Sequence, residues 1–190
     1  NDQLHGFYRS TYTDDDGAEH TIATTQFQST DARRCFPCWD EPEYKATFET
    51  TLIVDADHLA VTNTSEVAET TLDDGRRRIQ YAPTMVMSTY LVAFVVGPLE
   101  ATEPIHAGGV PIRVVHRPGQ GDRTSFALDV AAAALDWFAD YYAIPYPSDK
   151  VDLIAIPDFA FGAMENLGCV TFREVLLLSL IHISEPTRHR

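Results

Sequence analysis

The sequence predicts a mainly β region that is followed by the start of an α/β region. Two observations support this prediction. Short strand-like runs separated by turn signals fill the first half of the 190-residue chain. Near residue 110 the pattern changes to strand, helix and strand again. The length suffices for one ordinary domain or for parts of two.

The first two strand-like runs predict a β-hairpin. Aromatic residues and threonines dominate residues 6–12, Asp14-Asp15-Asp16-Gly17 is a turn signal, and a strand pattern resumes over residues 20–27. A second turn signal, Asp73-Asp74-Gly75, separates two of the later runs. These later strand candidates are residues 46–54, 58–63, 77–81 and 89–96. Regular spacing with turn punctuation favours an antiparallel all-β unit.

The second region begins with a predicted strand over residues 110–116. Residues 123–142 then have a helical period, and Pro145 and Pro147 end the predicted helix. The residues that fall on one face of this helix are Phe126, Val130, Ala133, Trp137 and Tyr141. Two more strands are predicted over residues 151–156 and 168–172.

The formal net charge of −14 argues against nucleic acid and anionic membranes as partners. It favours cationic ligands in a general way, and a free peptide N-terminus is one such ligand. No apolar run is long enough to span a bilayer. The acidity and the three cysteines favour a cytoplasmic location.

Cys35-Phe36-Pro37-Cys38 is formally a C-x-x-C motif. A redox or zinc function would need a surrounding βαβ pattern or a second ligand pair, and neither is visible. We therefore expect Cys35 and Cys38 to be buried or half-buried thiols.

Residues 156–166 carry the strongest chemical signal. A strand leads into a turn at Gly162, which could allow a positive φ or the close approach of a ligand. An extended peptide could pair with this backbone if it forms an exposed edge. Glu165 would then stand beside the peptide and could hold a protonated amine. A solvated glutamate near a turn is the alternative.

Gly162-Ala163-Met164-Glu165-Asn166 resembles the exopeptidase signature of the aminopeptidase N and puromycin-sensitive aminopeptidase family of zinc metallopeptidases. The resemblance implies that Glu165 binds the α-amino group of the substrate. It also implies that Gly162 and Ala163 contact the peptide backbone and that Met164 lines the pocket for the first side chain. The partners would be peptides with a free N-terminus.

A second block, residues 25–42, resembles the β-domain signature of the same family. The resemblance implies that the polar side chain of Gln28 reaches into the active site beside Glu165. Many members have glutamate at this position and others glutamine, and a neutral amide makes the weaker contact with an amine. A polar residue on a sheet face is the alternative for Gln28. We expect the charged residues of this block, Asp31, Arg33, Arg34, Asp40 and Glu41, to form a structural ion-pair and turn network.

The resemblance implies a saddle-like antiparallel β-domain over residues 1–109, incomplete at its N-terminus, and the beginning of a thermolysin-like peptidase domain over residues 110–177. Residues 178–190 resemble the in-frame translation of a sequencing adapter, and we expect them not to belong to the protein. Hydrolysis in this family needs one zinc ion, held by H-E-x-x-H and a further glutamate. None of the seven histidines fits that motif, so no catalytic or metal residue is assigned.

The sequence thus predicts that the chain is a piece of a zinc aminopeptidase, inactive by itself, that holds the amine pocket. A non-catalytic scaffold relative is the main alternative, although it would not need an amine pocket. A relative that also hydrolyses a lipid epoxide would carry G-G-M-E-N, whereas Ala163 stands in the second position. A C-x-x-C redox protein is a further alternative, but the sequence around Cys35 and Cys38 lacks the βαβ pattern that such a protein needs.

Overall fold

The computed structural model describes residues 3–178. Its N-terminal part is built from nine strands that pair only in antiparallel fashion, in sheets ordered β1-β2-β9-β5, β4-β7-β6 and β3-β8. The strands are β1 (Gly6–Thr13), β2 (Glu19–Gln26), β3 (Lys45–Ala46), β4 (Thr51–Val54), β5 (Leu59–Thr62), β6 (Glu66–Thr71), β7 (Arg77–Tyr81), β8 (Met87–Ser88) and β9 (Phe94–Gly97). The predicted antiparallel β region and its first hairpin are confirmed.

The C-terminal part is an α/β unit around one six-stranded sheet. Three of its strands, β12, β13 and β15, run parallel, while β14 pairs antiparallel with β15 at one edge. The elements are β10 (Glu100–Ala101), β11 (Ile105–Ala107), β12 (Val110–His116), α1 (Ser125–Tyr142), β13 (Val151–Ile156), β14 (Ala163–Met164), β15 (Cys169–Arg173) and α2 (Glu174–Leu177). All six residues of β13 are buried, as expected of a central parallel strand. The change to α/β structure is confirmed.

Two of the predicted strands differ from the structure, and one strand was not predicted. Residues 46–54 form two short strands, β3 and β4, and residues 89–91 form a 3₁₀ turn before β9. Strand β6 was not predicted, because all six of its residues are exposed and its sequence has no apolar alternation. It pairs with β7 across the predicted Asp73-Asp74-Gly75 turn.

Helix α1 packs on the sheet through alanine and leucine side chains. Ala127 and Leu128 are buried, whereas Phe126, Val130 and Trp137 are about half exposed. The stripe that predicted the helix is therefore largely exposed among the described residues. Ala131, Ala132 and Leu135 join Ala127 and Leu128 in the apolar cluster with the sheet, so alanines and leucines form the packed face.

One apolar cluster joins the two parts of the molecule. It contains Ile22 of β2 and Val95 of β9 together with Ile154, Ile156 and Met164 of the six-stranded sheet. This cluster, called the shared core below, places the end of β2 against the edge of the six-stranded sheet. Within residues 3–178, no helix is long and apolar enough to cross a membrane. Residues 179–190 lie outside the described residues, and with them nearly all of the segment expected to be adapter-derived.

Candidate functional site

The Gly162–Asn166 segment forms the open edge of the six-stranded sheet. Among residues 3–178, its strand β14 pairs on one side only, with Ala163 opposite Phe172 of β15. The backbone N–H of Arg173 donates to the carbonyl oxygen of Gly162 at 2.9 Å. Backbone groups alternate in direction along a strand, so those of Ala163 point to the open side. An exposed edge of this kind can accept an added peptide strand.

Side chains alternate along the same edge. Ala163 and Glu165 are exposed, whereas Met164 is fully buried in the shared core between them. The carboxylate of Glu165 has no hydrogen bond or ion pair to any other described residue. An exposed carboxylate beside an open backbone edge is free to meet a cationic ligand.

Gly162 does not have a positive φ, so that expectation is wrong. A Cβ built on Gly162 would lie 3.4 Å from Cδ1 of Leu176, which is an ordinary van der Waals contact. Neither the backbone nor the neighbouring side chains therefore demand glycine here. The close approach of a ligand is the remaining reason suggested by the sequence.

The first hairpin holds the loop before this edge. The hydroxyl of Tyr8 donates to the carbonyl oxygen of Asp158 at 3.1 Å, and the N–H of Asp158 donates to Oγ of Ser10 at 3.0 Å. The N–H of Thr11 donates to the Asp158 carboxylate at 3.2 Å. Burial, reinforced by the charge of Asp158, raises the pKa of Tyr8, so this hydroxyl remains a donor. Strand β1 thereby fixes the start of the loop.

A guanidinium group supports the middle of the same loop. Arg173 donates to the carbonyl oxygens of Phe159 at 3.0 Å and Ala160 at 2.7 Å. Two charge-assisted hydrogen bonds to consecutive carbonyls restrict the path of the chain into Gly162.

The two motif blocks meet in the structure. Phe27, the residue before Gln28, lies in an apolar cluster that also contains Leu167, two residues after Glu165. On the other side, the rings of His5 and Phe161 are 6.2 Å apart, and Nδ1 of His5 is 3.8 Å from the Asp31 carboxylate. The side chain of Gln28 is exposed at this junction.

The charged residues of the second block form the expected structural network. Asp40 is buried, and its carboxylate accepts from the backbone N–H of Arg33 at 2.9 Å. The guanidinium of Arg33 donates to the carbonyl oxygen of Asp40 at 2.8 Å and lies 3.7 Å from Glu41. Arg34 pairs with Asp31 at 3.0 Å. These residues fold the loop after Gln28 and leave no free acid–base pair in it.

Gln26 was not identified from the sequence. Its side chain is only 1% exposed, and neither its amide nitrogen nor its oxygen has a partner among the described residues. Gln26 lies on the same face of β2 as Thr24 and Ile22. Because Ile22 packs against the six-stranded sheet, Gln26 also points toward that sheet. A buried amide without partners costs free energy unless a polar ligand or water satisfies it. A glutamine on the buried face of a strand is the signal that could have revealed it.

The metal and thiol candidates do not form a centre within residues 3–178. No group of three or more histidine, cysteine or acidic side chains there could hold a metal ion. Cys35 and Cys38 are half-buried free thiols, and burial raises the pKa of both. Cys169 is fully buried, which raises the pKa of its thiol to about 12. Raised pKa values disfavour the reactive thiolate form.

Comparison with known proteins identifies the family. Residues 1–91 match the peptidase M1 N-terminal domain, and residues 126–190 match the peptidase family M1 domain. The chain is 49% identical over 178 residues to aminopeptidase M1 of Arabidopsis thaliana, which covers 94% of the chain and 20% of that protein. It is 48% identical over 179 residues to puromycin-sensitive aminopeptidase of Caenorhabditis elegans, covering 94% of the chain and 19% of that protein.

A further relative is endoplasmic reticulum aminopeptidase 1 of Homo sapiens, 43% identical over 175 residues, with 92% of the chain and 19% of that protein covered. The chain thus spans about a fifth of the length of these curated relatives. Two M1 family models match in the expected order, and the aminopeptidase relatives align over nearly the whole chain. The chain therefore belongs to the M1 family of peptidases.

Proposed function

We propose that this chain forms the amine-binding part of a zinc aminopeptidase that releases N-terminal amino acids from peptides. The observation that carries the proposal is the exposed carboxylate of Glu165 on an open strand edge, which has no partner among residues 3–178. Leu167, two residues later, packs with Phe27 between Gln26 and Gln28. The family and the names of its relatives support the reaction class.

The open edge would bind the backbone of the peptide. The free backbone groups of Ala163 would pair with an extended peptide, as in strand addition. The exposed Cα of Gly162 would allow that peptide to lie close to the edge. Met164, fully buried beneath the edge, would support the floor of the first side-chain pocket from below.

Glu165 would neutralise the α-ammonium group at the end of this peptide strand. Gln28 would add a neutral hydrogen bond, and the unpaired amide of Gln26 would be satisfied by the same polar end of the substrate. An internal peptide bond offers no ammonium, so it would leave Glu165 desolvated and unpaired. This asymmetry would restrict cleavage to the N-terminus.

Zinc is the cofactor that this proposal requires. When bound, the ion would polarise the scissile carbonyl and activate water. The residues described here do not fit such a site, since residues 3–178 contain no suitable ligand group. The ligands would therefore lie in sequence outside these residues. A long sequencing read of the source gene across the Leu178 codon tests this directly. An in-frame H-E-x-x-H is expected, and a reading frame without it would favour the scaffold alternative.

The role of Glu165 is tested by Glu165→Gln in the full-length protein that contains this chain. The substitution keeps the shape and removes the charge. We expect kcat/KM on a free-amine peptide substrate to fall about 10- to 100-fold, the equivalent of one charge-assisted hydrogen bond. The preference over the N-acetylated substrate should fall by the same factor.

Glu103→Gln is the matched control, since Glu103 is an exposed glutamate between β10 and β11, at the edge of the six-stranded sheet opposite β14. It should leave both quantities unchanged. Unaltered kinetics in Glu165→Gln would contradict the assigned role. The cytoplasmic location stays a prediction, and imaging of the tagged full-length protein would test it.

A further inference from the structure

Two buried side chains hold the turn that follows Glu165. The first is Asn63, which lies at the end of β5 and is 1% exposed. Its amide nitrogen donates to the carbonyl oxygens of Leu91 and Leu167, at 2.8 Å each, and its oxygen accepts from the N–H of Ala93 at 2.9 Å. The bonds to Leu91 and Ala93 hold Asn63 within the N-terminal part, and the bond to Leu167 joins that part to the turn.

The second side chain is Lys150, at the start of β13. Its ammonium donates to the carbonyl oxygens of Thr62 at 2.6 Å and Gly168 at 2.7 Å, and to the carboxylate of Asp152 at 2.8 Å. Each N–H of the ammonium thus has an acceptor. One acceptor comes from the N-terminal sheets and another from the turn.

The turn fits against Asn63 without spare room. Gly168 has a φ of +71°, and a Cβ built there would overlap the backbone carbonyl oxygen of Asn63. The N–H of Gly168 also receives support, since it donates to the hydroxyl of Tyr146 at 3.0 Å. The backbone of the turn between β14 and β15 therefore passes directly against the backbone of Asn63, at a distance that glycine permits.

The position of Glu165 depends on this turn. The carboxylate has no partner among the described residues, so its backbone alone sets its position. That backbone lies between β14 and the held residues Leu167 and Gly168. A buried ion pair contributes little net stability, because desolvation offsets its attraction and apolar side chains of similar volume often stabilise a fold at least as well. The linkage through Lys150 thus suggests a role in geometry.

We propose that Asn63 and Lys150 are positioning residues of the amine site, which fix Glu165 relative to Gln26 and Gln28. The inference rests on the proposed function, since it assigns to these residues an effect on amine binding. Both residues act through the backbone of Leu167 and Gly168 and neither touches the substrate.

The test uses Lys150→Met in the full-length protein, with Lys45→Met as the matched control. Lys45 is the only other lysine of the chain and is exposed. We expect Lys150→Met to raise KM for a free-amine substrate about tenfold with kcat changed less than threefold, because ground-state and transition-state binding of the amine are lost together. Lys45→Met should change neither.

A double-mutant cycle with Glu165→Gln separates positioning from general damage. If Lys150 acts through Glu165, Lys150→Met should have no further effect on KM once the carboxylate is gone. Equal effects in both backgrounds would overturn the inference and leave the proposed function intact. An inert Glu165→Gln would instead overturn the proposed function.

Asn63→Ser serves as the second variant, because it leaves the ion pair in place while removing the bond to Leu167. It should reproduce the rise in KM if Lys150→Met does not fold. Failure of both variants to fold, as seen by circular dichroism, would assign the pair to stability alone and overturn the inference.

Discussion

The two segments that carry the proposed amine-binding groups differ in how they are held. The segment from Asp158 to Gly168 is fixed at its start by β1, in its middle by Arg173 and at its end by Asn63 and Lys150. The segment after β2 presents Gln28 on the surface, and its neighbouring Gln26 is buried without a partner among the described residues. The charged group, Glu165, is thus carried by a segment held at three points. The neutral groups, Gln26 and Gln28, belong to a segment in which the buried amide of Gln26 has no hydrogen-bond partner among the described residues. Precise placement matters most for a charge, whose interaction depends strongly on distance and desolvation.

The largest change in the free energy of unfolding is expected from Gly168→Ala, in the segment from Asp158 to Gly168. The free energy of unfolding should fall by about 4 kcal/mol or more, since alanine adds a backbone overlap to an unfavourable positive φ. Urea denaturation of the chain measures it. Gly75→Ala is the control, because Gly75 has a φ of +85° but a Cβ built there would meet nothing within 4 Å. It should cost only about 1 kcal/mol. Equal losses would show that the contact with Asn63 is not tight.

The next effect concerns Asp152, the anion beneath the held turn. Burial alone would raise the pKa of Asp152, but Lys150 and Arg113 outweigh it and hold the pKa below its ordinary value. Such a group stabilises the fold above its unfolded pKa of about 3.9, and this contribution is lost as the pH falls through the folded pKa. Asp152→Asn should therefore lower the free energy of unfolding by about 3 kcal/mol at neutral pH.

Urea denaturation from pH 7 down to pH 2 checks both the size and the sign. The difference between the native chain and Asp152→Asn should shrink as the solution becomes acidic. Asp74→Asn is the control, because Asp74 pairs with Arg76 at a fully exposed site. A difference that stays constant with pH would mean that the charge of Asp152 does not contribute.

The smallest effect is expected in the less satisfied segment, and it has the opposite sign. Gln26→Leu replaces an unpaired buried amide with an apolar side chain of similar size. The free energy of unfolding should rise by about 1 kcal/mol. In the full-length protein the same change should weaken peptide binding. Gln28→Ala, at an exposed position, should leave stability within about 0.5 kcal/mol. A destabilised Gln26→Leu would show that the amide is satisfied in the folded chain.

Much of this architecture could be predicted from the sequence. The hairpin, β12, β13 and α1 follow local rules of alternation, helical period and turn composition, and these rules gave the correct class. The packed face of α1 could not be predicted, because its largest aromatic side chains are exposed while alanines and leucines lie against the sheet. Strand β6 escaped because pairing with β7, not burial, holds it in place.

The site shows the same division. Glu165 and Gln28 could be selected because they stand in specific motifs. Gln26, Asn63 and Lys150 could not, because their importance comes from unpaired or shared hydrogen bonds between distant segments. The sequence distance between Asn63 and its acceptor Leu167 is 104 residues, which no local pattern can reveal.

This distance also has a consequence for synthesis on the ribosome. The N-terminal sheets emerge first, and Asn63 is made 104 residues before Leu167. At ordinary elongation rates that interval is roughly 5 to 20 s, far longer than the time in which small sheets pair. The sheets can therefore be in place while the amide of Asn63 still lacks one of its acceptors. The edge that carries Glu165 can dock only after residues 154–168 have been made, since Ile154, Ile156 and Met164 share one apolar cluster with the N-terminal strands.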